Sequence, residues 1–229
     1  TLGCFSVRRR SSNLSESSKR SSKLWELFKF LITHRGKNIP PENMLLALWP
    51  DQEYADPKRA VRTMICRLRR LLGEKKSSSS SDGASSCIVM AHGCYKWNDS
   101  LSYWIDVDEL EKLHLQAKTT SVTDAEKAAG CYAAALDLYK GEYLAESMYS
   151  DWVIPVRHYY QRLHLEIILQ LTELLRKKGN YYKIIEICEK ALLLEPFEEE
   201  IHLRFLEALL KEDKIKQAHS HYQYATSSF

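Results

Sequence analysis

Residues 58–72, KRAVRTMICRLRRLL, gather six cations (Lys58, Arg59, Arg62, Arg67, Arg69 and Arg70) and contain no carboxylate. A surface helix ordinarily mixes signs, so that neighbours three and four positions apart can pair. Cations without local partners are available to a polyanion, and duplex DNA is the polyanion whose major groove admits a helix. Val61, Ile65, Leu68 and Leu72 fall at i, i+4, i+7 and i+11, a stripe that faces a core. With that stripe turned inward, Arg59, Thr63, Cys66, Arg67 and Arg70 fall on the opposite side and Arg62 on the shoulder. Arg62 and Thr63 are expected to reach base edges, and Arg59 a base or the adjacent phosphate, since an arginine bidentate to guanine is the commonest specific contact. Arg67 and Arg70 are expected to grip phosphate. Arg69 lies nearer the core flank. Taken alone, the stretch is equally consistent with a solvated basic face, so the surrounding elements decide.

Other reactive residue types assemble no second chemistry. Asp106, Asp108, Glu109 and Glu111 crowd together, as do residues 198–200, but both groups open helices, where carboxylates complement the dipole. His202 and His219 have no nucleophile or acid beside them in sequence that would complete a triad, so no enzyme is expected. The six cysteines form no C-x-x-C pair, and the neighbouring His92 and Cys94 lack a second ligand pair, so no metal site is expected. No Walker A sequence occurs, and no cofactor is expected.

The basic stretch needs a frame. Asp56-Pro57 supplies an N-cap with proline at the first helical position, and Gly73 supplies the stop. Before it, residues 22–34 carry Leu24, Leu27, Phe28, Leu31 and Ile32 at helical spacing, and residues 42–48 form a short helix between Pro41 and Pro50. Residues 1–10 read as an extended strand, with a charged end at Arg8-Arg9-Arg10. Residues 74–86, EKKSSSSSDGASS, are too polar to pack and read as a mobile loop. Two β-prone runs, 87–90 and 95–97, flank Ala91-His92-Gly93-Cys94, a hairpin with glycine at its bend. Strands, three helices and a hairpin beside the basic helix make a winged helix-turn-helix over residues 1–100. Trp25, Trp49 and Trp97 read as core, and Trp104 and Trp152 as packing between helices.

Residues 101–229 are helical and different in character. Ala128/Tyr132/Ala135, Ile184/Cys188/Ala191 and Ala218/Tyr222/Ala225 repeat a small–bulky–small spacing, the last two sets 34 residues apart. That is the second-helix pattern of tetratricopeptide (TPR) repeats, interrupted here around residues 141–162. The fold class is therefore an α+β winged helix-turn-helix followed by an all-α TPR-like domain, mainly α overall. Residues 1–100 hold 18 Lys+Arg against 9 Asp+Glu, and residues 101–229 hold 15 against 21, so only the front half is suited to nucleic acid. No apolar run approaches a membrane span and the cysteines form no disulfide framework, which makes the reducing cytoplasm the expected location. The chain opens on Thr1 rather than methionine and reads as a segment of a longer protein or as a processed form.

With both halves placed, the chain resembles the bacterial regulators that join an OmpR-like winged helix to a bacterial transcriptional activator domain (BTAD), the antibiotic-regulatory-protein (SARP) class. In the front half the resemblance rests on Leu46-Ala47-Leu48-Trp49-Pro50, on residues 66–73 (CRLRRLLG) and on Gly93-Cys94-Tyr95-Lys96-Trp97. In the back half it rests on Leu138-Tyr139-Lys140-Gly141 with Leu144, Asp151-Trp152 with Arg157, and residues 195–199 (EPFEE) with Arg204. The resemblance implies an activator that binds double-stranded DNA, homodimerises on direct repeats and contacts RNA polymerase. It also implies that Arg69 pairs with a carboxylate on the preceding helix. The family carries an Arg and two Gly near its hairpin tip. Here the tip is Ala91-His92-Gly93-Cys94, which leaves Lys96 or His92 for the wing contact. Two rivals predict different behaviour: a helical half that senses a ligand or partner, and an adaptor whose basic helix docks an acidic protein.

Overall fold

The structure, a computed structural model, describes residues 1–9, 12–14, 22–74, 86–147 and 149–228. Residues 75–85, most of the expected serine-rich loop, lie outside the described residues, as does Arg10. The chain packs as two compact units. One comprises Thr1, Gly3–Trp104 and Tyr143–Arg157; the other comprises Leu2, Ile105–Glu142 and His158–Phe229.

The first unit begins with β1 (Arg8–Arg9) paired antiparallel to β2 (Ser12–Asn13). The extended strand expected over residues 1–10 is thus only two residues long, because the apolar alternation that suggested it is spent on packing: Phe5 sets its ring edge-on to Trp25 at 5.7 Å and to Phe28 at 6.0 Å. Three helices follow: α1 (Ser22–Thr33), α2 (Pro41–Leu48) and α3 (Pro57–Leu71). α1 buries Trp25, Leu27, Phe28, Phe30, Leu31 and Ile32, more of its circumference than one stripe. α2 is short because Pro40 and Pro41 fix its start and Pro50 follows its C-cap Trp49; only Met44 and Leu45 bury their hydrophobic side chains fully.

The hairpin is β3 (Ile88–Ala91) and β4 (Cys94–Trp97), with Ala91 opposite Cys94. The two-residue bend is His92 (φ 50°) and Gly93 (φ 78°), both left-handed as the tight turn between twisted strands requires. Ile39 exchanges two backbone hydrogen bonds with Tyr95 (2.8 and 2.9 Å), tying the approach to α2 onto the hairpin. Tyr95 and Trp97 point inward, Trp97 meeting Phe28 at 5.7 Å, while Cys94 and Lys96 point outward.

Residues 143–157 complete this unit's core. The Thr33 hydroxyl lies 2.8 Å from that of Tyr143, and Phe30 meets Trp152 edge-on at 5.2 Å. Lys29, only 6% exposed, donates from Nζ to Glu26 Oε1 (3.1 Å) and Ser147 Oγ (2.9 Å) beneath the Phe5 ring. A buried ammonium is tolerated when it is paired and hydrogen-bonded in this way. Packing therefore does not divide the chain by one cut near residue 100.

The second unit is helical: α4 (Asp106–Thr120), α5 (Ala125–Leu138), α6 (Ile154–Lys177, from His158 on), α7 (Tyr181–Leu194), α8 (Glu199–Lys211) and α9 (Ile215–Ser228). Asp124 accepts from the backbone N–H groups of Glu126 and Lys127 to cap α5, and Asn180 caps α7 through Lys183 N. Ala128, Tyr132 and Ala135 are buried, as are Ile184, Cys188 and Ala191, so the small residues do let paired helices approach. The third set departs from the pattern: Ala218 and Ala225 are buried but Tyr222 is 57% exposed. Its neighbour His221 turns inward instead, meeting Phe205 edge-on at 4.6 Å. Trp104 is also exposed (67%), not packed between helices; it stands just before α4.

Candidate nucleic-acid interface

α3 is built as its sequence requires. Asp56 Oδ1 accepts from Arg59 N at 2.9 Å, Pro57 opens the first turn, and Leu72 as C-cap donates its N–H to Leu68 O. Val61, Ile65, Leu68 and Leu72 are buried. Arg59, Arg62, Thr63, Cys66, Arg67 and Arg70 are all exposed on the remaining circumference. Among the described residues none of these four guanidinium groups takes part in an ion pair. Thr63 Oγ1 donates to Arg59 O at 2.9 Å, which leaves its lone pairs to accept from an amino group, as cytosine and adenine edges carry in the major groove.

Arg69 has a structural task, but with partners other than the expected ones. Its guanidinium donates to Ile88 O at 2.6 Å and approaches Glu74 at 3.9 Å, so it holds the hairpin, not the preceding helix. Glu74 also accepts from Cys87 N (2.8 Å) and Ser86 Oγ (2.9 Å). Burial and that carboxylate push the Cys87 thiol well above its ordinary range and keep it unreactive. Arg9 reaches back to donate to Leu72 O, anchoring the N-terminal strand pair at the end of α3. His92 is exposed at the hairpin tip and Lys96 is half-buried on the outward face of β4.

Turning by about 100° per residue, Arg69 and Ala60 lie on opposite flanks of α3. One flank meets the hairpin. The other faces a groove of about 880 Å³ that sequence reading missed altogether. Its walls are the start of α1 (Ser22, Lys23, Leu24), residues 52 and 54–56, and Arg59, Ala60, Thr63, Met64 and Arg67 of α3. These segments are polar and far apart in sequence, so no periodicity announces them.

Nearly all of the helical half, just over half of the chain, fits a known family. Residues 105–228 match the bacterial transcriptional activator domain. The chain belongs to that family. Residues 15–81 match a second family, described as the C-terminal part of transcriptional regulatory proteins, so the BTAD protein carries a DNA-binding domain and is a transcription regulator. Both families are regulatory and neither is enzymatic, and the resemblance to SARP-type regulators holds in both halves. A solved structure, Mycobacterium tuberculosis EmbR in complex with a low affinity phosphopeptide, matches with a TM-score of 0.71 at 17% identity. The match covers 90% of this chain and 53% of that one, so this chain spans about half the length of that relative; the likeness is one of fold. No curated protein matches the chain. Among the described residues no helix is long and apolar enough to cross a membrane.

Proposed function

We propose that this BTAD protein is a sequence-specific transcription activator of the cytoplasm that inserts α3 in the DNA major groove. Arg62 and Thr63 read base edges, Arg59 a base or its phosphate, and Arg67 and Arg70 the backbone, with Cys66 on the same face. His92 and Lys96 on the hairpin meet the neighbouring backbone. The helical half then supports homodimerisation on direct repeats and contact with RNA polymerase. The observation that carries this reading is the exposed α3 face, on which Arg59, Arg62, Arg67 and Arg70 stand without a carboxylate partner among the described residues.

The test is fluorescence anisotropy on a random duplex pool across a salt series, with sequencing of the bound fraction. An enriched motif is expected, a direct repeat if the protein binds as a dimer. Arg62→Ala should then relax specificity at one position by about 1–3 kcal/mol, whereas Arg67→Ala should weaken all duplexes alike and lower the salt slope by about one. Absence of binding even at low salt would overturn the reading.

A further inference from the structure

A helix about 10–12 Å across fills a major groove about 12 Å wide, so both flanking phosphate backbones come close to its sides. On α3 the flank at Arg69 meets the hairpin, and the opposite flank, at Ala60, Met64 and Arg67, opens on the groove described above. The far wall of that groove carries a convergence of polar groups for which the fold has no evident use. Lys23 Nζ donates to Gln52 Oε1 at 2.7 Å, and Tyr54 Oη donates to the same oxygen at 2.8 Å. The ammonium also lies 5.3 Å from the centre of the Trp49 ring, which holds it near the rim. Lys23 and Gln52 are exposed and Tyr54 half-buried.

Two donors meeting on one neutral, exposed oxygen form an arrangement that a phosphodiester oxygen can enter or replace. Charge favours it. The groove contains Lys23, Arg59 and Arg67 against one carboxylate, Asp56, which is engaged in capping α3. Asp51 and Glu53 do not line it. The remaining lining, Ser22, Leu24, Ala55, Ala60, Thr63 and Met64, is small or apolar and leaves room for a sugar–phosphate strand.

We infer that Lys23, Gln52 and Tyr54 form a second backbone clamp, holding the DNA strand on the side of α3 away from the hairpin. The inference rests on the proposed DNA-binding reading and extends it to residues outside the basic helix. Phosphate contacts carry no sequence information but set register, and each one lost lowers the slope of log K against log salt by about 0.9.

The experiment compares the full chain with Lys23→Met, Tyr54→Phe and Gln52→Glu in anisotropy titrations from low to moderate salt. Each duplex is tested as the selected site and as a scrambled one, with Lys37→Met as a control for loss of general charge. Melting curves are matched first, so that only folded variants are compared. The expected result is a salt slope reduced by about one for Lys23→Met, beyond that for Lys37→Met. Affinity should fall by the same factor on both duplexes, with a parallel loss for Gln52→Glu and a smaller one for Tyr54→Phe. Unchanged slopes in a wild type that binds with salt dependence, or a loss confined to one sequence, would overturn the clamp while leaving α3 as the reader. A wild type that binds no duplex would overturn both.

Discussion

His164 stacks on Tyr139 with ring centres 3.8 Å apart and planes 9° from parallel, and only 3% of the residue is exposed. Its Nδ1 finds no hydrogen-bond partner among the described residues. Burial lowers its pKa to about 4, so the ring is neutral at pH 7. In the unfolded chain the same ring titrates near its ordinary value, so between the two pKa values the unfolded state binds the extra proton. Stability from this site is complete above about pH 6.5 and is lost as pH falls towards 4, by about 3 kcal/mol in all. Denaturant unfolding measured from pH 7.5 to 4.5 should show this decline, and His164→Leu should flatten part of it; an equally steep decline in the variant would show that other groups carry it. His221, its pKa lowered by burial and by neighbouring His202, adds in the same direction. Single residues were unevenly legible in the sequence. Val61, Ile65 and Leu68 announced their burial because helical spacing is a geometric signal. The structural role of Arg69 came from the family resemblance and not from its spacing, and its actual partners, Ile88 and Glu74, are brought to it only by the folded hairpin. Trp104 misled because a large aromatic surface does not by itself enforce burial.

At the scale of elements, capping and turn chemistry were the readable part. Asp56-Pro57 and Gly73 bracket α3 closely, and the glycine at the bend marked the hairpin. Gly73 is constrained twice: its φ is +77°, and a Cβ there would lie 2.6 Å from the Arg9 guanidinium that anchors the N-terminal strands. Gly93 is different. A Cβ at that position meets nothing within 4 Å, so the only obstacle is its φ of +78°. Gly93→Ala is therefore expected to cost about 1–2 kcal/mol through the backbone alone. Thermal unfolding should show that loss, with the hairpin register unchanged in amide exchange. A loss beyond it would mean that the bend has a packing role. What remained illegible between elements was the groove beside α3, because residues 22–24, 52, 54–56 and 59–67 share neither period nor composition.

For the molecule as a whole, the two stretches that make up most of the first unit are not adjacent in sequence. Residues 143–157 contribute Tyr143, Ser147 and Trp152 to the surroundings of α1, although they belong by sequence to the BTAD match at 105–228. Short 3₁₀ turns, Ala145–Ser147 and Asp151–Val153, carry no amphipathic signal, so the sequence could not tell which core they enter. A fragment ending at Trp104 should consequently lose the Ser147 hydrogen bond to Lys29, at a cost of about 0.5–1.5 kcal/mol, as well as the Trp152 contact to Phe30. Hydrogen exchange should show α1 less protected in that fragment than in the full chain. Equal protection would mean that the winged helix closes its core unaided.

That interleaving bears on how such regulators can be recombined. A chimera that exchanges DNA-binding halves at residue 104 keeps the host's 143–157 against a foreign α1, mismatching Lys29 with Ser147 and Phe30 with Trp152. A functional transplant needs two splices, the second carrying Tyr143–Arg157 along with its helix, so the heritable module and the physical one have different borders.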